Sequence, residues 1–198
     1  MNNNFGTMKN NIMAFVTIYG LCAFQMTYAA SPAVQYMQSK VNDKTKCKYT
    51  EIKGSVDGPE SCQYLCDGPV SKLKTRLLSC YDYEHLYVKI DDKEYSTWSA
   101  MTKLGGFAGL GNNEGIVEWA LSSKPPSKAS DVLGLIVRFQ GTQAKPGGTS
   151  EKPKTALAVY DFRNDRVCWK GNFPTNEGAR KALEKSDCKE ILKPEVVK

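Results

Sequence analysis

Histidine is almost missing from this chain. His85 is the only one in 198 residues, which excludes two-histidine metal sites and leaves a single candidate for any imidazole base. No C-x-x-C spacing occurs, so a redox-active cysteine pair has no motif to rest on. The glycines at 105, 106, 109, 111 and 115 are followed by no G-K-[ST], and counting G-x-G-x-x-G from Gly109 puts Glu114 at the last glycine. They also lead into a strand-like run, whereas a phosphate cradle needs a helix N-terminus, so no nucleotide cofactor is expected. Charge of one sign is not concentrated either. Lys44, Lys46 and Lys48 lie beside Asp43 and Glu51, and Lys72, Lys74 and Arg76 beside Asp67. That mixture describes a solvated surface and argues against nucleic acid as a partner.

What is present is the composition of a globular protein, 41% hydrophobic and 24% charged, so a core is expected. Residues 12–26 (IMAFVTIYGLCAFQM) form an apolar run preceded by the single charge of Lys9 and followed by Thr27-Tyr28-Ala29-Ala30. A permanent membrane span needs roughly 20 apolar residues, so this shorter run reads as a secretory signal peptide. Thr27 and Ala29 suit the small-residue pockets of a signal peptidase, which sets the boundary: residues 1–29 as signal peptide and residues 30–198 as one exported globular domain. Cys22 follows Leu21, where a lipobox wants a small residue. No second long apolar run follows, so no membrane span is expected in the mature chain, which should be soluble.

Six cysteines remain after Cys22: Cys47, Cys62, Cys66, Cys80, Cys168 and Cys188. An even number in an exported chain favours three disulfides over a four-thiolate zinc site, and six cysteines can pair in 15 ways. Cys168 and Cys188 bound the C-terminal block, far from the other four, which favours joining them. For the remainder, Cys47–Cys66 with Cys62–Cys80 is one arrangement among those open. No metal is expected.

Strand signals dominate the mature chain. Residues 86–90 alternate at period 2, Asp91-Asp92 makes a turn, and residues 94–98 return as a hairpin partner. Residues 131–140 (DVLGLIVRFQ) are nearly continuous apolar sequence, which suits a central strand covered on both faces. Residues 155–162 and 167–170 flank a tight turn at Arg163–Arg166. Thr175 or Asn176 caps a helix to about Lys185, with Ala179, Ala182 and Leu183 on one face. Val34, Met37 and Val41 have helical spacing, so residues 33–42 are expected as a short helix, and the tail from Lys189 is expected to fray. The fold class that follows is mainly β (α+β), an antiparallel sheet or sandwich with a disulfide-strapped C-terminal helix.

Two groups of residues could carry function. Tyr81, Tyr83, His85, Tyr87 and Lys89 fall on one face of a continuous strand and would make an aromatic, basic binding stripe. The plainer reading of the stripe is a packed or solvated sheet face, with His85 in solvent. Glu118 and Asp161 lie in apolar strands; a carboxylate pair could serve glycoside hydrolysis, but pairing with Arg138 is favoured because an isolated buried charge is costly.

Trp98 with the glycine loop and Glu118-Trp119, then Leu135–Phe139, Ala158-Val159-Tyr160 leading to Cys168, and Asn176-x-x-Ala179-Arg180 leading to Cys188 together resemble a group of small exported bacterial proteins of uncharacterised function. The resemblance spans about residues 74–189. It implies one domain and supports pairing Cys168 with Cys188, while the 47–80 block carries more cysteine than the group's pattern.

The functional expectation is a binding or interaction protein, periplasmic or secreted, whose partner is an unknown protein or envelope component. Catalysis is disfavoured. The alternatives are a periplasmic inhibitor of a cell-wall hydrolase, lysozyme-inhibitor-like, or a secreted host-directed effector. A cationic lysozyme would repel a mature chain of net charge +5, one less than the +6 of the whole sequence because Lys9 is removed. N-terminal sequencing of the exported protein should return Ala30-Ser31-Pro32; a start at Met1, Met8 or well beyond Val34 contradicts the boundary.

Overall fold

The longest apolar run among the described residues becomes the longest strand, and the layers assemble around it. The structure, a computed structural model, describes residues 33–52, 61–79, 84–103, 107–110, 115–142, 154–185 and 187–195. All of these belong to one compact unit. In chain order the strands are β1 (Gln35–Lys40), β2 (Cys47–Ile52), β3 (Ser61–Asp67), β4 (Leu73–Ser79), β5 (Glu84–Ile90) and β6 (Lys93–Ser96). After helix α1 (Trp98–Thr102) come β7 (Phe107–Gly109), β8 (Ile116–Leu121), β9 (Val132–Thr142), β10 (Lys154–Asp161) and β11 (Cys168–Phe173), then helix α2 (Asn176–Glu184) and β12 (Glu190–Ile191). Sheet I has the order β1-β8-β9-β10-β11-β12 with β7 also on β9, and sheet II the order β2-β3-β4-β5-β6. The ladders are antiparallel.

β9 is covered on both faces, as its composition requires. Leu135, Val137 and Phe139 join Trp119, Tyr160 and Trp169 of their sheet against Leu73, Leu77, Leu86, Val88 and Tyr95 of sheet II. On the opposite face Ile136, Leu157 and Val159 lie beneath Ala179, Ala182 and Leu183 of α2. The result is three layers, sheet II on sheet I on α2. Gly134 makes the helix contact possible: a Cβ there would stand 2.2 Å from the Tyr160 carbonyl oxygen and 2.8 Å from Leu183.

A nine-residue helix is too short to persist on propensity alone, and α2 is held at both ends and along its flank. The Thr175 hydroxyl accepts the Gly178 N–H at 3.1 Å. At the other end Arg163 donates to the Leu183 carbonyl at 2.8 Å and Lys170 to the Lys185 carbonyl at 2.6 Å; cations there also complement the helix dipole. Arg180 clamps Glu118 of β8 at 2.9 and 2.7 Å.

Two disulfides are described. Cys47 is bonded to Cys66, its direct opposite in the β2–β3 register, with Cα atoms 4.3 Å apart. Cys168 is bonded to Cys188, joining the start of β11 to the segment beyond α2. Cys62 stands opposite Ser79 in the β3–β4 register. Its suggested partner Cys80 lies outside the described residues, as do Tyr81, Tyr83, the expected signal segment and parts of the glycine-rich loop.

Two expectations are corrected. In place of a helix over residues 33–42 the chain forms strand β1 (Gln35–Lys40) with its flanks, since Met37 and Val41 pack into the sandwich while Val34 and Tyr36 pack on the α2 side; spacing of three and four residues served a two-faced strand. The segment from Lys189 to Glu195 does not fray. Its Leu192 N–H bonds the Val167 carbonyl at 2.8 Å, and its Glu195 N–H bonds the Glu94 carbonyl of β6 at 2.7 Å, so it straps the edge of sheet I to the edge of sheet II. Among the described residues no helix is long and apolar enough to cross a membrane.

Replacing both Cys168 and Cys188 with Ser should lower unfolding stability by about 3 kcal/mol, the contribution of closing a loop of this length in the unfolded chain. Limited proteolysis should then cut first between Phe173 and Lys185. An unchanged denaturant midpoint contradicts the tether.

Candidate binding surface

The β5 stripe lies on the face of sheet II away from the sandwich core, because Leu86 and Val88 point inward. Register brings its neighbours in: Arg76 stands opposite Tyr87 on β4, Leu78 opposite His85, and Ser96 opposite Tyr87 on β6. The Arg76 guanidinium sits 4.0 Å over the Tyr87 ring. His85 stacks on the same residue with ring centroids 4.1 Å apart, and Trp98 tilts against His85 at 5.2 Å. Such cation–π and aromatic contacts each contribute about 0.5–1.5 kcal/mol beyond burial and hold the stack rigid. Arg76 is fixed by Glu94, which is buried and clamped through both guanidinium donors. Lys89 follows on the same face opposite Glu94 and stays outside the stack.

His85 is therefore not a solvated residue. Burial, with the Arg76 charge, lowers its pKa from 6.5 to about 4 against the opposing pull of Glu94. Its Nε2 lies 2.7 Å from the Ser96 hydroxyl, which also accepts the Trp98 backbone N–H at 3.1 Å. A Ser–His contact is the core of a nucleophilic site, but a base serves best with a pKa near the working pH. An imidazole at about 4, facing a hydroxyl already engaged by backbone, offers stacking and hydrogen bonding in place of proton abstraction.

The stack runs into a groove of about 400 Å³ lined by Ser96, Trp98, Ser99, Ile191, Leu192 and Lys193, with Glu190. Trp98 is 42% and Ile191 54% exposed, and these are the large exposed apolar side chains among the described residues. Both line this groove. Trp98 is presented by α1, which is anchored by burial of Ala100 and Met101 and by the Thr97 hydroxyl on the Leu86 carbonyl at 2.7 Å. Ile191 comes from the strap. The Ser99 hydroxyl is buried with no hydrogen-bond partner among the described residues. Sequence reasoning missed Ser96, Ser99 and Ile191, because only the β5–β6 register and the path of the strap bring them to Trp98.

The carboxylates do not converge. Glu118 is paired with Arg180, whose ring-stacked guanidinium lies 4.4 Å over Tyr36. Asp161 is paired with Arg163 and lies 3.5 Å from buried Lys170, which also meets Asp187 at 3.3 Å. Burial raises the Asp161 pKa, but the Arg163 hydrogen bonds and charge and the Lys170 charge outweigh it and hold the carboxyl below its usual range. The favoured partner Arg138 instead approaches Asn176 at 3.4 Å. Each acid is neutralised by its own cation, which suits a structural role. Among the described residues no three His, Cys, Asp or Glu side chains gather to hold a metal ion.

As the only histidine, His85 gives a single imidazole signal whose NMR titration should have its midpoint near pH 4. The unfolded chain takes up that proton near 6.5, so the stability governed by His85 is complete above pH 6.5 and is lost as the pH falls from 6.5 toward 4. His85→Gln should flatten that limb of the urea-midpoint profile; a titration midpoint above 6 contradicts the buried stack. No family model, curated protein or solved structure matches this chain.

Proposed function

We propose that this is an exported, disulfide-bridged binding protein that recognises a partner protein of the envelope or its surroundings through the Trp98–Ile191 groove. The observation that carries the reading is the meeting of these two exposed apolar side chains in one groove, beside a buried hydroxyl without a partner. Exposed apolar area gathered in one place marks interaction sites, and Trp, Tyr and Arg dominate the energetics of such sites. Here Trp98 adjoins the rigid Arg76–Tyr87–His85 stack, which lowers the ordering cost of binding. Export is supported by the apolar run at residues 12–26 and by the two disulfides, which belong to oxidising compartments. Periplasm and extracellular medium are both consistent with these features.

The reading is tested in the producing cell with a photo-crosslinking phenylalanine analogue placed at Ile191 and, as a control, at exposed Lys48. The expected result is a discrete protein adduct at 191 in the extracytoplasmic fraction, absent at 48 and reduced about thirtyfold by Trp98→Ala, since an aromatic anchor contributes about 2 kcal/mol or more. No adduct at 191, or the same adduct from both positions, contradicts the groove. Reduced cysteines in a cytoplasmic pool contradict export.

A further inference from the structure

A larger cleft opens at a different place, between the β5–β6 turn of sheet II and the β10–β11 turn of sheet I, with a volume of about 710 Å³. Ligand pockets for small organic molecules span about 300–1,000 Å³. Its floor is apolar: Leu73, Tyr95, Val132 and Val167 are buried core residues whose outer surfaces line it, with Ile90 and Phe162 beside them. The two turns form the walls, and Asp91, Asn164 and Asp165 adopt the left-handed conformation in them, with φ of 53°, 63° and 54°.

The charged residues around the cleft are not equivalent. Asp91 is paired with Lys72 at 3.2 Å, and Arg163 is committed to Asp161. Asp92, Lys93 and Asp165 are exposed and solvated. Arg166 is half-buried, and its Nε is wholly buried without a hydrogen-bond partner among the described residues. It also borders an adjoining cavity of about 110 Å³ that contains Asp161 and Asp187. Those two acids are already engaged by Arg163 and Lys170. Nε is closed off from solvent, so a ligand in the cleft meets the outer nitrogens of the guanidinium, whose planar fork matches carboxylate or phosphate oxygens.

We propose that this cleft is a second binding site, separate from the Trp98–Ile191 groove, for a small organic anion with an apolar body. The anionic group is held by Arg166, and the apolar body lies on Leu73, Ile90, Tyr95, Val132, Phe162 and Val167. Carboxylate and phosphate heads share this chemistry. The exposed Asp92 and Asp165 at the mouth disfavour a ligand with several negative charges, which leaves a single anionic head at the depth of Arg166.

Calorimetric titration of the mature protein with octanoate, octyl phosphate, acetate and octylammonium tests the site. One or both octyl anions should bind at one per chain, and the relative affinity of the two identifies the preferred head group. Acetate and octylammonium should each bind at least about tenfold more weakly, because each lacks one of the two recognition elements. Arg166→Met, which keeps length and removes the donors, should weaken the bound anion by about tenfold or more with the unfolding midpoint not lowered. Ser130→Trp, which fills the mouth and leaves every charge in place, should do the same and serves alone if the first variant fails to fold. Octylammonium binding as well as octanoate, undiminished binding by either folded variant, or no binding of either octyl anion at millimolar concentration overturns the proposal. A failed crosslink at position 191 leaves these outcomes untouched.

Discussion

A strand that is apolar on both faces must be covered twice, and the rest of the molecule follows from how β9 meets that demand. One cover is sheet II, built from the first half of the chain; the other is α2, from the end of it. The two covers differ in self-sufficiency. Sheet II brings five strands and a wide apolar face, whereas α2 brings three buried side chains and nine residues. The polar attachments of α2 therefore matter more than their number suggests: Arg180 on Glu118, Arg163 and Lys170 on the last carbonyls, and the disulfide just beyond. A solvent-exposed ion pair contributes little, but these pairs stand against a sheet face where an unpaired charge would be expensive.

Sheet edges are the second constraint, because an open edge invites pairing with other chains. The strap answers it for two edges at once. It leaves Cys188, pairs with β11 as β12, buries Leu192, and reaches β6 through Glu195. In doing so it closes one side of the sandwich and raises Ile191 beside Trp98. The groove is thus a product of edge protection.

Much of this was legible in the sequence where a local pattern had one physical meaning. Period-2 alternation with Asp91-Asp92 specified the β5–β6 hairpin, an unbroken apolar run specified β9, and Thr175 with the 179–182–183 stripe specified α2. Where a pattern served two structures it misled, as with Val34, Met37 and Val41 in β1. The cysteine spacing pointed to the Cys168–Cys188 bridge, but the pairing of the strand carboxylates was not legible. Arg180 and Arg163 were the partners of the strand carboxylates in place of Arg138: the docking position of α2 brings Arg180 to Glu118, and Arg163 folds back on Asp161 from two residues along the chain. The bulge in the β10–β11 ladder shows the same limit: Val159 pairs with Gly171 and Tyr160 with Trp169, which leaves Lys170 without an opposite residue. That frees Lys170 to turn toward Asp161, Asp187 and the end of α2, an outcome that no local signal announces. Of the binding stripe, His85 and Tyr87 were identifiable by alternation, while Arg76, Ser96 and Ile191 came from other elements.

The account stands on the strap being part of the folded core and the builder of the groove. Native-state hydrogen exchange of the oxidised protein measures this directly at three amides: Lys189, Leu192 and Glu195, which bond the carbonyls of Trp169, Val167 and Glu94. Protection of Leu192 comparable with the strands of sheet I, and of Glu195 well above that of an exposed loop, is the result this account predicts. Exchange of all three at unprotected rates would mean that the tail is free, that the edges are open and that Ile191 does not belong to a built surface.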